Sequence, residues 1–296
     1  MKVLLTGGSG FLGRHVLAAL ARHGIETVAV GRRKPEGASA FIEADLLAAA
    51  DFAEIMRHAG ATHLLHLAWY AEHGKYWTSP LNLRWVDATT RLVEAFCAAG
   101  GQKVVIAGTC AEYDWSHGVC LEDTTPLEPT TLYGAAKDSA RRLAMAVCRQ
   151  HGVPCAWGRV FLPFGPGESV QRLIPSLIEV FGGQRAPFGV NADACRDFLH
   201  ASDVAEAFVT LLRADKGAGE GAVNIASGAP VKLADLVVML AQMMGGDASI
   251  VLDLPGGRPG EPPLLAGDNT KLKALGWEMR TALHEGLQGM IDEARS

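Results

Sequence analysis

The sequence predicts an α/β fold, a doubly wound parallel sheet followed by a smaller C-terminal lobe. Three observations carry this expectation. Over the first 160 residues, short apolar runs alternate with longer amphipathic segments. The first run passes through a glycine-rich turn straight into a helical pattern. Beyond Phe161, Pro and Gly interrupt the chain often and the regular alternation stops. Strand-helix-strand repeats set their strands in parallel, with helices covering both faces.

Taken in order, Val3–Thr6 reads as a short apolar strand, followed by the glycine turn and a helix over Phe11–His23. Glu26–Val30 is the second strand and Ala40–Ile42 a short third. A helix over Leu47–His58 leads to the apolar run Thr62–Ala68. Leu81–Ala99 is a long amphipathic helix ending at Gly100-Gly101, the residue type favoured just past a helix C-terminus. Lys103–Ala107 is the fifth strand, Thr131–Gln150 a helix and Val153–Val160 the sixth strand. Later helices, over Val170–Phe181, Ser202–Leu212, Leu233–Met244 and Thr281–Glu293, lie between Pro- and Gly-rich breaks. Residues 1–160 are therefore expected to form the sheet domain, completed by about 200–226. Residues 161–199 and 227–296 are assigned to the smaller lobe, closing over the sheet's carboxyl edge.

Composition narrows the class of function. Half the residues are apolar (49%), 20% are charged and the net charge is −5, so a globular rather than a disordered chain is expected. The densest basic run is Arg32-Arg33-Lys34, too small to imply nucleic acid or an anionic membrane as partner. No apolar stretch is long enough for a membrane span, and Met1–Leu5 runs into the glycine turn without a secretory signal. The six cysteines have no metal-like spacing; they read as reduced thiols of a cytoplasmic protein, with no metal expected.

Gly7, Gly10 and Gly13 stand between a strand and a helix, where a dinucleotide turn requires them. Glycine permits the tight turn and a close backbone approach to pyrophosphate, while the helix start offers free N–H groups and a positive dipole end. Downstream, Tyr133 and Lys137 are four apart on a predicted helix and share one face. An ammonium near a phenol lowers its pKa, so the tyrosine can exchange a proton with a substrate oxygen.

The turn Thr6-Gly-Gly-Ser-Gly-Phe-Leu-Gly13 together with Tyr133-Gly-Ala-Ala-Lys137 resembles the extended short-chain dehydrogenase/reductase superfamily, the NAD(P)-dependent epimerase/dehydratase group. The resemblance covers essentially the whole chain and implies a Rossmann-type sheet with a substrate-binding lobe. It implies cofactor contacts from Gly7, Gly10, Phe11, Leu12, Gly13, Asp45, Leu46, Leu67, Ala68, Tyr133 and Lys137. It also implies Thr109 as the hydroxyl beside the reacting oxygen, and Tyr113 as a pocket residue. Arg196 and Arg258, in segments resembling those of nucleotide-sugar epimerases and reductases, would hold a nucleoside diphosphate. A structural pairing of Arg196 with Asp197 or Asp203 is the alternative. The loop Trp69–Trp77 could face the sugar. One position departs from the pattern: Trp85 stands where an Asn is usual, and the nearest Asn is Asn82.

Residues beside the motifs discriminate among reactions. Gly31 replaces the acid that would hold the ribose of NAD, and Arg32 and Arg33 follow. A guanidinium suits a 2′-phosphate, so NADP(H) is expected over NAD(H). Cys110-Ala111 replaces the Asp-Glu pair that family dehydratases place after the catalytic Thr, which argues against dehydration. Cys110 remains a possible thiol acid/base, although Gly167 occupies the position of the second proton carrier. The expected reaction is NADPH-dependent reduction of a nucleotide-linked 4-keto-6-deoxyhexose. The alternatives are a nucleotide-sugar 4-epimerase with bound NAD(P) and, from another class, a non-catalytic NADP-sensing protein. A homodimer through Leu81–Ala99 and Thr131–Gln150 is the expected assembly.

Overall fold

The computed structural model describes residues 1–48, 51–257 and 260–295. Elements of the first half are β1 (Lys2–Thr6), α1 (Phe11–Arg22), β2 (Glu26–Gly31), β3 (Ala40–Glu43), α2 (Phe52–Ala59) and β4 (His63–His66). After these come α3 (Leu81–Ala98), β5 (Lys103–Thr109), β6 (Val119–Cys120), α4 (Leu132–His151) and β7 (Cys155–Val160). Next are β8 (Leu162–Phe164), α5 (Leu173–Phe181), β9 (Cys195–Arg196), β10 (Phe198–His200), α6 (Ala201–Arg213) and β11 (Gly221–Ile225). The chain ends with β12 (Val231–Lys232), α7 (Leu233–Met244), α8 (Ser249–Leu252), β13 (Leu264–Gly267), α9 (Thr270–Ala274) and α10 (Leu283–Arg295).

Seven strands form one sheet in the order β11-β7-β5-β4-β1-β2-β3, and every neighbouring pair is parallel. All seven residues of β5 are buried, as a central strand covered on both faces requires. On one face Val16 and Leu20 of α1 pack with Val204, Phe208 and Leu212 of α6. On the other, Ile55 of α2, Leu92 and Phe96 of α3, and Ala140 and Ala144 of α4 close the second layer. A separate apolar cluster joins Phe164, Leu177, Leu236, Leu240, Leu287 and Ile291 from the later elements.

The chain runs outward from β1 in two directions, to β2 and β3 on one side and to β4 and β5 on the other. Loops leaving the carboxyl ends of β1 and β4 therefore diverge, and a crevice opens where ligands of doubly wound sheets bind. Gly7, His66 and Thr109, which end or follow β1, β4 and β5, all lie at this edge.

Two helix starts lie three or more residues from expectation. The helix predicted from Leu47 begins at Phe52, because Asp51 caps it by accepting from the Glu54 N–H at 3.2 Å. Asp45 instead closes a turn by accepting from the Leu47 N–H at 3.0 Å. The helix predicted from Val170 begins at Leu173. The sequence reading had no strand for β11, the five residues GAVNI that complete the main sheet. No described helix is long and apolar enough to cross a membrane.

Candidate active site

The glycine turn is a steric solution. Gly7 has φ +74°, and a Cβ there would stand 2.7 Å from the Ala68 N. At Gly13 a Cβ would meet the Gly7 carbonyl O at 2.1 Å and the Gly8 Cα at 2.6 Å. Only glycine lets α1 start this close to the turn, with its N-terminus facing the crevice. The turn is held to the end of β4 by Thr6, whose hydroxyl accepts from the Ala68 N–H at 3.1 Å. Phe11, Leu12, Leu67 and Ala68 are half-buried around it, and Leu46 is buried in the neighbouring core. This cradle, which side chains would fill, fits a dinucleotide's pyrophosphate.

Arg32 and Arg33 are exposed in the bend after β2, and neither pairs with a carboxylate among the described residues. A Cβ at Gly31 would meet nothing within 4 Å, so that glycine serves no local packing need. Asp45 is exposed at the same edge. Arg258 lies outside the described residues.

Tyr133 and Thr109 come together through a second steric device. Thr131 caps α4, accepting from the Gly134 N–H at 3.1 Å. A Cβ on Gly134 would stand 2.2 Å from the Ala111 carbonyl O, so glycine allows the first turn of α4 to sit on the residues after β5. The Thr109 side chain lies near enough to the Tyr133 phenol to favour its charged form. Burial pushes that phenol well above its usual range, and the Thr109 side chain pulls the other way.

Lys137 is buried, one helical turn further on. Its ammonium donates to the Ala107 carbonyl O at 2.8 Å and lies 4.0 Å from the centre of the Trp69 ring. Burial pulls its pKa down, opposed by the Glu112 carboxylate. Tyr133 and Lys137 share a face, but the largest opposing influence on Tyr133 comes from Thr109.

Behind Thr109 lies a buried ionic network. Glu112 (0% exposed) accepts from the Thr109 N–H at 2.9 Å, the Trp157 Nε1–H at 2.8 Å and the Arg159 Nε–H at 2.7 Å. Arg159 (1% exposed) also donates to the Tyr113 hydroxyl at 2.7 Å, and its guanidinium lies over the Tyr113 ring. That hydroxyl in turn donates to Asn224 Oδ1 at 2.8 Å. Tyr113, expected at the pocket, is 2% exposed and is a member of this network. Cys110 is likewise buried, which pushes its thiol far up and removes it as an acid/base at neutral pH.

The loop after β4 supplies aromatic walls. Tyr76 and Trp77 meet the Tyr133 ring edge-on at 4.9 and 5.7 Å, and the Tyr133 N–H donates to the Trp77 carbonyl at 3.1 Å. Trp115 packs on Trp77 at 6.2 Å, and Arg172 lies over Tyr76 at 5.7 Å. Trp115 and Arg172 were not foreseen as neighbours of this site, since nothing in their local sequence marks them. Arg196 is buried and pairs with Glu261 at 2.7 Å, not with Asp197 or Asp203. Asp197 instead accepts from the Ser227, Gly228 and Gly267 N–H groups, and Asp203 from those of Arg280 and Thr281.

Residues 3–226 match the NAD dependent epimerase/dehydratase family, a span that takes in the glycine turn, Thr109, Tyr133 and Lys137. The chain belongs to that family. UDP-glucose 4-epimerases of Azospirillum brasilense and Corynebacterium glutamicum are 29% and 28% identical to it, over 100% and 99% of this chain and 91% and 94% of theirs. Among solved structures, MoeE5 in complex with UDP-glucuronic acid and NAD is 31% identical, with a TM-score of 0.86 over 100% of this chain and 99% of that one. The protein is thus an NAD(P)-dependent enzyme of the epimerase/dehydratase type, on a Rossmann-type sheet.

Proposed function

We propose that this protein is a nucleotide-sugar 4-epimerase, acting on a UDP-hexose with a nicotinamide cofactor. The observation that carries this is the placement of Tyr133 beside Thr109 at the sheet's carboxyl edge, with the first turn of α4 seated on the residues after β5, next to a turn shaped for a dinucleotide. Full-length similarity to two UDP-glucose 4-epimerases supports this reading over the 4-keto reductase expected from sequence.

When bound, the cofactor supplies the acceptor and then the donor of the C4 hydride. Tyr133 takes the proton of the sugar's C4 hydroxyl as general base and returns it to the C4 oxygen in the reverse half-reaction. Thr109 hydrogen-bonds the same oxygen and stabilises the charge that develops on it. Lys137 holds a positive charge beside this site, and the walls of Tyr76, Trp77 and Trp115 exclude water from it. Arg196, oriented by Glu261, is the diphosphate contact of this reading, with Arg258 as its companion. Pairing of α3 and α4 with their copies would form a homodimer, with exposed Leu83 and Leu143 on those helices.

A 4-keto reductase using NADPH is the second reading. It is favoured by the unpaired Arg32 and Arg33 after β2 and by the missing acid at Gly31, both suited to a 2′-phosphate. The two readings differ in net cofactor use. UDP-glucose or UDP-glucuronic acid supplied with catalytic NAD should give the C4 epimer without net change in absorbance at the reduced-cofactor band. Stoichiometric NADPH consumption on a 4-keto sugar, with no epimer formed, would establish the reductase instead. Tyr133→Phe should lower kcat by about 10²- to 10⁴-fold in either case while cofactor binding is retained.

A further inference from the structure

Lys137 carries its charge in an unusual setting. Its side chain is 4% exposed, and burial alone drives an ammonium towards the neutral amine. The charged and titratable groups facing it come from several elements. Glu112, after β5, favours the ammonium; His66, at the end of β4, is kept neutral by burial and by the Lys137 charge; Tyr133 lies one turn earlier on α4. Besides donating to the Ala107 carbonyl, the ammonium lies over the face of Trp69, 4.0 Å away.

Trp69 is itself braced. Its Nε1–H donates to Asn82 Oδ1 at 2.8 Å, and its ring stacks on Trp85 at 6.0 Å with 26° between the planes. Asn82 is fully buried, and its amide donates to the carbonyls of Tyr76 (2.7 Å) and Ser79 (3.0 Å). Trp85, which departs from the family pattern, and Asn82, the nearest Asn, are therefore parts of one assembly, and that assembly ends on Lys137. We propose that Trp69, braced by Asn82 and Trp85, is a positioning residue that keeps the buried Lys137 in place and in its charged form. The inference rests on the reading of Lys137 as part of the catalytic site.

An aromatic face attracts a cation and gives nothing to the neutral amine, so the ring raises the Lys137 pKa. Removing it lowers that pKa by about one pH unit. Activity that needs the ammonium is lost as pH rises through this value, so the alkaline limb of kcat moves to lower pH by the same amount. Trp69→Leu keeps apolar bulk without a π face. Trp69→Phe keeps a π face but loses the bond to Asn82, and Asn82→Ala loosens the indole without removing it.

The test is an NMR titration of ¹³C-ε-labelled lysine in the full chain saturated with NAD, the Lys137 signal being assigned with Lys137→Arg. A drop of about one unit in Trp69→Leu, with smaller drops in Trp69→Phe and Asn82→Ala, is the expected result, matched by the kcat limb. An unchanged Lys137 titration in Trp69→Leu, or a Phe variant no nearer wild type than Leu, would overturn the proposal. If Trp69→Leu does not fold, Trp69→Met, which also lacks a π face, replaces it: the same drop supports the ring's role and an unchanged titration overturns it. The titration needs no sugar, so it stands or falls separately from the epimerase reading, which fails if UDP-hexoses are not interconverted.

Discussion

The glycine turn and the Tyr133–Lys137 site share one edge of the sheet but are built in opposite ways. The turn consists of eight consecutive residues, and its constraints are steric: a Cβ at Gly7 or Gly13 would run into backbone. The catalytic site draws on β4, α3, β5, α4 and β7, and its constraints are electrostatic. Glu112, Trp69 and Thr109 act on Lys137 and Tyr133 from across the fold. A steric constraint fails locally and abruptly, whereas an electrostatic one is shared and is felt wherever its members are anchored.

The comparison can be broken by substitution. The largest stability effect is expected in the electrostatic half, away from the reacting atoms. Arg159→Met leaves Glu112 as a buried carboxylate without its closest charge partner, and unfolding free energy should fall by about 3–5 kcal/mol in urea denaturation. Little change there would mean that the Trp157 and Thr109 N–H groups suffice for Glu112. In the steric half, Gly13→Ala should cost about 1–3 kcal/mol by overpacking and should weaken NAD binding in calorimetry. Normal affinity in that variant would show that α1 can retreat from the turn.

A smaller effect, set by pH, joins the two halves at His66. Its ring bonds Thr6 of the turn strand at 2.6 Å and Thr89 of α3 at 2.9 Å. Burial, aided by the Lys137 charge, presses its pKa down to about 3. The unfolded chain takes up this proton first, near the ordinary histidine value of 6.5. Stability from this group is therefore complete above about pH 6.5 and is lost progressively as pH falls towards 3, by about 2 kcal/mol at pH 5. Melting at pH 7 and pH 5 checks this, and His66→Gln should flatten the difference.

Legibility in the sequence follows the same division. Gly7, Gly10 and Gly13 could be read because their spacing is the constraint, and the six strand runs because a buried parallel strand is apolar throughout. Tyr133 and Lys137 were visible as a helical pair. The partners that act on them were not, because Glu112, Trp157 and Arg159 meet only after β5 and β7 pair. The surroundings of Tyr113 were hidden for that reason: its motif position suggests a pocket, and its hydroxyl meets Arg159 and Asn224. Arg196 met an unforeseen partner in Glu261, 65 residues away. Strands of two or three residues, such as β6, β9 and β12, are too short to show a period.

The central claim is oxidation and re-reduction at C4 of a nucleotide sugar by one site around Tyr133. Deuterium at C4 of UDP-glucose or UDP-glucuronic acid tests it most directly, with NAD supplied in catalytic amount. The account predicts the C4 epimer with the deuterium still on C4 and no net reduced cofactor, and no epimer with Tyr133→Phe. Absence of the epimer with the wild-type protein, or its formation with deuterium lost to solvent, would contradict it.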